Sequence, residues 1–177
     1  MSLQSIKSQL MELVVKWENV TKSDYSETDS IVHFYLPLFK ILGWNIDDVN
    51  EVKLEGFPRY FVLRSNLENY ANIRADCVLS VTNQPYNYNP YAVFEFKRIA
   101  EFANVLYRIE RFDNLLKYRD LLETRYAVLT NFADTIIYGK TKDEPVMRFQ
   151  SPHEFMEKFD DLWNILSRSA ALKYFNY

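Results

Sequence analysis

The chain has 177 residues, 48% hydrophobic and 25% charged, which predicts one globular domain with a buried core and excludes a disordered protein. Its 21 Lys and Arg against 24 Asp and Glu give a net charge of -3, which excludes a basic protein that coats nucleic acid by bulk charge. A single cysteine, Cys77, and two histidines exclude a disulfide framework and a cysteine-rich zinc site, and fit a reducing cytoplasm.

Ile6, Leu10, Leu13, Val14 and Trp17 recur at helical spacing and predict an amphipathic helix over about residues 3 to 19. A second helix follows a polar break. Ser26 with Asp29 three residues on resembles a capping box, Ile31, Tyr35, Leu38 and Leu42 form its stripe, Gly43 ends it and Pro37 should kink it. Val52 and Leu54 alternate with Glu51, Lys53 and Glu55, the pattern of a strand with one solvated face. An irregular, aromatic and Asn-containing stretch then runs to about residue 72.

The apolar runs 75–81 and 91–97 have strand length, and Thr82 to Pro90 between them is turn chemistry, so the pair reads as a hairpin with a long loop. Val105, Ile109, Phe112 and Leu116 predict a helix from about Asn104 to Leu122, followed by an apolar strand, Tyr126 to Thr130. Strand, helix and strand make a right-handed crossover, so strands 91–97 and 126–130 should be parallel. After Asn131-Phe132-Ala133-Asp134 comes a short strand, Thr135 to Tyr138. Ser151-Pro152 reads as the N-cap and first position of a last helix, with Phe155, Phe159, Leu162, Trp163 and Leu166 as its stripe. With only 3 Gly, turns must lean on Asn, Asp and Pro, and 13 Tyr with 13 Phe are most simply the filling of a packed core. No apolar run approaches the roughly 18 residues of a membrane helix, and the opening Met1-Ser2-Leu3-Gln4 lacks a signal-peptide pattern. A cytoplasmic protein with no membrane partner is expected.

Charge is unevenly placed. Residues 21–55 hold Lys22, Lys40 and Lys53 against Asp24, Glu27, Asp29, Asp47, Asp48, Glu51 and Glu55, which read as a solvated helix start and loop, Glu27 excepted. The next stretch is basic, with Arg59, Arg64 and Arg74 against Glu68.

Two buried-looking strands each contain a carboxylate, Asp76 and Glu95, and an ionised group is buried only with a partner or a metal. In a hairpin, opposed positions have a constant sum. Asp76 with Glu95 gives 171 and with Lys97 gives 173, which places the fold point between residues 85 and 87, within Gln84 to Asn87. Alternation puts Glu95 and Lys97 on one face and Phe94 and Phe96 on the other, with Cys77 opposite Asp76 and in the core. Asp76, Glu95 and Lys97 can then converge as two hard oxygen ligands and one ammonium, the equipment for Mg2+ with a substrate phosphate.

At these residues the sequence resembles the PD-(D/E)xK nuclease superfamily, with Asp76 and then Glu95-Phe96-Lys97 as its E-x-K half. Ser26-Glu27-Thr28, Leu36-Pro37-Leu38 and Leu42-Gly43-Trp44 look like the start of the nuclease domains of type I and related restriction subunits. Asn114-Leu115-Leu116-Lys117-Tyr118 is similar to their Q-x-x-x-Y motif, with Asn for Gln, and Val128 to Asn131 followed by Ile137-Tyr138 resembles their closing hairpin. Arg74-Ala75 stand where the name-giving motif has proline. The resemblance covers about residues 23–140. It implies an α/β restriction-endonuclease-like core, a mixed sheet flanked by helices in the order αβββαβ, with an extra hairpin strand and helices at 1–20 and 151–177.

It also implies a Mg2+-dependent DNA endonuclease, with Mn2+ as a substitute, in a restriction or defence system. Asp76, Glu95 and the main-chain carbonyl of Phe96 would bind metal, with Glu27 as an accessory ligand. Lys97 would be catalytic, and Asn114, Tyr118 and Arg74 would contact DNA. Such domains are joined to DNA-translocating motors, and this sequence has no Gly-rich phosphate loop. The expected partners are therefore DNA and a translocating ATPase or other restriction subunit, in the same full-length chain or separate, or a second copy in a homodimer. Other readings stand beside these. Glu95 and Lys97 could be an edge-strand charge pair with Asp76 a polar strand start, Glu27 a helix-start acid favoured by the macrodipole, and Tyr118 a core residue. His33 and His153 read as ordinary helix and helix-start residues. The protein would then be a nuclease-fold binding module that does not cut, or a structural adaptor.

Overall fold

The computed structural model describes residues 2–21, 24–55, 75–84, 87–98, 105–141 and 144–177, with the backbone alone for 83, 84, 87 and 105–112. Arg59, Arg64, Arg74 and the irregular stretch around them lie outside the described residues.

Ser2 caps helix α1 (Leu3–Glu18) by accepting the N–H of Ser5, and Ile6, Leu10, Leu13 and Val14 form its buried stripe. The Ser26–Asp29 capping box is present in full and opens α2 (Glu27–Ser30). Pro37 has no N–H to offer the carbonyl of His33 and crowds it. The expected kink is resolved as a π-helical turn, Ile31–Tyr35, in which the N–H of Leu36 reaches back to the carbonyl of Ile31. The ammonium of Lys16 on α1 takes the His33 carbonyl instead, at 3.3 Å. Helix α3 (Leu36–Ile41) ends at Gly43, whose φ of 88° lets the N–H of Trp44 close on the carbonyl of Phe39.

The six strands are β1 (Val52–Leu54), β2 (Cys77–Gln84), β3 (Asn87–Phe96), β4 (Tyr126–Thr130), β5 (Thr135–Gly139) and β6 (Pro145–Phe149). They lie side by side in chain order. All neighbours are antiparallel except β3 and β4, which run parallel across helix α4 (Val105–Leu122), as a crossover requires. The fold is thus α/β, a mixed six-stranded sheet with flanking helices. Cys77, Leu79, Phe94, Phe96, Val128 and Ile137 pack on one face against α1, α3 and the C-terminal helices. Val78, Val93, Ala127, Leu129 and Ile136 pack on the other against Leu115 and Leu122 of α4.

Five expectations need correction. Thr82 to Pro90 is not a long loop: polar side chains do not prevent main-chain pairing, so the ladder runs on to Gln84 and Asn87. Register shifts absorb Pro90, which cannot donate to the ladder. Glu51 is not solvated, because it is 6% exposed and pairs with Arg168 from 117 residues away, at 2.7 Å. Among the described side chains of α4, the buried stripe is Leu115, Arg119 and Leu122, one position out of phase with Leu116. Strand β6 is an additional element. The last helix is three pieces, α5 (Glu154–Glu157), α6 (Phe159–Leu166) and α7 (Arg168–Tyr174). Pro152 sits in the turn before α5, Lys158 leaves helical geometry, and extended Ser167 caps α7 through the N–H of Ala170. Among the described residues no helix is long and apolar enough to cross a membrane.

Candidate functional site

The pairing of Cys77 with Phe94 sets Asp76, one residue before β2, beside Glu95 near the end of β3. Phe94 and Phe96 belong to the first apolar cluster and Val93 to the second, so alternation turns Glu95 and Lys97 toward the α4 face. The N–H of Phe96 donates to Asp76 Oδ2 at 2.7 Å, so this carboxylate stands in for the next carbonyl of a ladder that has ended. The main-chain oxygen of Asp76 accepts the N–H of Glu55 just beyond β1, and the N–H of Lys97 donates to Thr130 of β4. Asp76 is therefore held from two sides by main-chain N–H groups, that of Phe96 on its carboxylate and that of Glu55 on its carbonyl.

Glu95 is 3% exposed and Lys97 6%. The Lys97 ammonium donates to Glu95 Oε1 at 2.6 Å and also to the carbonyl oxygen of Phe96. Desolvating two charges is costly, and only such close mutual pairing with further hydrogen bonds offsets it. These are the chemistry-bearing residues expected from sequence: Asp76, Glu95, Lys97 and the Phe96 carbonyl meet at one end of the central strands. Cys77 lies on the opposite face from Asp76, and burial, then the Asp76 charge, push its thiol well above the ordinary value. It is a core residue, not a nucleophile.

Tyr35, at the end of the π-helical turn, extends the site. Its ring stacks on Phe96 with centroids 4.1 Å apart, and its hydroxyl donates to Thr130 Oγ1 at 3.4 Å. Burial pushes the pKa of this phenol far above its ordinary value, and the negative charges of Glu27 and Asp76 add to the effect. One hydroxyl thus senses the acid that opens α2 and the acid that precedes β2. Thr130 Oγ1 also bonds Thr135 Oγ1 at 2.7 Å and accepts the N–H of Phe132. Phe132 has φ of 70°, which costs a bulky residue roughly 1–2 kcal/mol. That threonine bond and ring contacts with Phe34, Tyr35 and Phe155 hold it there.

Sequence pattern placed Tyr35 only in a buried stripe. The signal for more was the residue type, since a phenol among buried aliphatics needs a polar partner. Glu27 is half-buried in the first turn of α2. Asn114 and Tyr118, one turn apart on α4, are half-buried, and Tyr118 packs against the second apolar cluster. Arg74 lies outside the described residues. His33 and His153 sit at helix positions as expected, the latter 2.8 Å from Glu18.

The donor set fits a hard divalent cation. Glu95 Oε1 and the Phe96 carbonyl already converge on one cation, the Lys97 ammonium, and Asp76 brings a carboxylate to the same main-chain step. Among the described residues no group of three or more His, Cys, Asp or Glu could hold a metal. A metal here would rest on two carboxylates, one carbonyl and oxygens from water or substrate. No protein-family model, curated protein or solved structure matches this chain.

Proposed function

We propose that the chain is a metal-dependent DNA endonuclease with a restriction-endonuclease-like core, serving a restriction or defence system. The observation that carries this is the gathering of Asp76, Glu95, Lys97 and the Phe96 carbonyl at one end of β2 and β3. The order of a helix, three antiparallel strands, a crossover helix and a parallel strand supports it. Asp76, Glu95 and the Phe96 carbonyl would hold Mg2+ or Mn2+, with Glu27 as an accessory acid. When bound, such an ion polarises a phosphodiester and makes a bound water a stronger nucleophile.

The chain's own groups do the rest. Lys97 supplies a positive charge from a dry position, where donors to a developing oxyanion are most effective. Asp76, fixed by the Phe96 N–H, presents its carboxylate without reorganising. Asn114 and Tyr118 on the helix flanking this face, and Arg74 before Asp76, would meet the DNA, and a translocating ATPase or other restriction subunit would bring it.

One observation favours a second reading. The Lys97 ammonium already satisfies both Glu95 and the Phe96 carbonyl, which suits a binding module that keeps the fold and does not cut. Plasmid cleavage with Mg2+ or Mn2+ separates the two, comparing wild type with Glu95→Gln and Lys97→Met after a melting curve has shown each variant folded. Loss of nicking by roughly a hundredfold or more, about 2.7 kcal/mol of barrier, supports the nuclease. Equal nicking by all three proteins sinks it, and metal binding without cutting favours the module.

A further inference from the structure

A cationic cleft lies at the other end of the sheet. Tyr91 is six residues from Lys97, about 20 Å along an extended strand. There Tyr91 of β3, Arg125 just before β4, and the helices α6 and α7 line a cleft of about 630 Å3, within the range of small-ligand sites. Arg125, Lys173, Trp163, Tyr174, Asn164 and Ser169 line it, and among the described residues lining it none is acidic.

Arg125 is held as a receptor group. Its main-chain N–H bonds the carbonyl of Tyr91, its Nε donates to the Tyr126 hydroxyl at 2.9 Å, and its guanidinium lies 4.3 Å from the centroid of the Tyr174 ring. Among the described residues, the ionisable side chains that its guanidinium touches are the phenols of Tyr126 and Tyr174. A guanidinium placed this way keeps its two terminal nitrogens for a bidentate anion and loses little freedom on binding. Lys173, exposed in the last turn of α7, adds a second positive charge. Half-buried Trp163 offers an aromatic surface and Asn164 an amide with both donor and acceptor. Two cations suit a dianion, and an indole beside an amide suits a planar, hydrogen-bonding ring.

We propose that this cleft binds a nucleoside phosphate, the phosphate on Arg125 and Lys173 and the base against Trp163. The site is separate from Asp76, Glu95 and Lys97 and does not depend on their proposed role. The ligand is either a free nucleotide or the phosphorylated end of a nucleic-acid strand, which share this chemistry.

Calorimetric titration of the whole chain in EDTA tests the assignment, with AMP, adenosine, inorganic phosphate and a 5′-phosphorylated single-stranded octanucleotide as probes. AMP should bind wild type and Glu95→Gln equally, and adenosine should bind roughly tenfold more weakly or worse, because the phosphate meets both cations. Lys173→Glu, a surface change, should weaken AMP by roughly tenfold or more with an unchanged melting temperature, and higher salt should weaken wild type. Octanucleotide binding tighter than AMP identifies a strand end; equal or weaker binding identifies a free nucleotide. Adenosine binding as well as AMP, indifference to Lys173→Glu, or no heat from AMP and octanucleotide at millimolar concentration overturns the proposal.

Discussion

The main-chain N–H of Phe96 donates to Asp76 Oδ2 at 2.7 Å, so the acid proposed to hold metal is also the last rung of the β2–β3 ladder. The two roles separate by substitution. Asparagine keeps an oxygen for that N–H and removes the charge; alanine removes both. Asp76→Asn should fold within about 0.5 kcal/mol of wild type and Asp76→Ala should lose about 1–2 kcal/mol. Both should weaken Mn2+ binding at least roughly tenfold, since a carboxylate ligand is gone. Urea denaturation and calorimetry read the two effects. An alanine variant as stable as wild type would show that the rung contributes nothing.

Glu95 and Lys97 are buried together, so removing one strands the other. Glu95→Ala should cost about 3–5 kcal/mol. The double change Glu95→Leu with Lys97→Met should recover most of that, because an apolar pair avoids the desolvation of both charges. A double-mutant cycle by urea denaturation gives the coupling, and simple additivity of the single changes would count against the pair as drawn.

The Glu51–Arg168 pair joins the turn before β1 to the start of α7 through three contacts of 2.7–2.9 Å. Glu51 also accepts the N–H of Asn45. Glu51→Ala should therefore destabilise by about 3 kcal/mol, as for other buried ion pairs that lose one partner. Glu51→Gln, which keeps an acceptor for Asn45, should cost less. Equal losses for the two variants would mean that charge alone matters.

Asp29 titrates below its ordinary value, first because of the Ser26 side-chain bond and then because of the Ser26 main-chain N–H. A depressed folded-state value means that the acid stabilises the fold above the ordinary carboxylate range. That contribution is lost as pH falls through the lowered value. Ser26→Ala should move the Asp29 transition upward, toward 3.8. An NMR titration of the carboxyl carbon follows it, and an unmoved midpoint would place the cause elsewhere.

The central constellation was legible because it needs only two rules, alternation along a strand and a constant sum across a hairpin. Those rules hold whatever surrounds them, and Cys77 opposite Phe94 keeps the sum of 171. The burial of Glu51 was not legible, since its partner lies at the far end of the chain and local pattern marks it only as an acid before a strand. The polar role of Tyr35 depends on Thr130, 95 residues on. Strand β6 hid because only Phe149 of its five residues is buried, leaving no alternation to read. The breaks in the last helix hid because neither Lys158 nor Ser167 is a strong helix breaker, and tertiary packing decided their geometry.

Strand order in the sheet follows strand order in the chain, and this bears on how the protein comes to be folded. Each strand can dock on the one made before it, so no strand waits for a later one to be inserted at its side. Asp76, Glu95 and Lys97 all sit at β2 and β3, among the first three of the six strands. The N–H of Lys97 finds its partner only when Thr130 arrives behind a full helix. Closing that parallel pair across α4 is the step with the largest loop to organise, and such steps are slow. A nascent chain halted before β4 would hold the acids of the site on an open sheet edge, and arrival of β4 completes their frame.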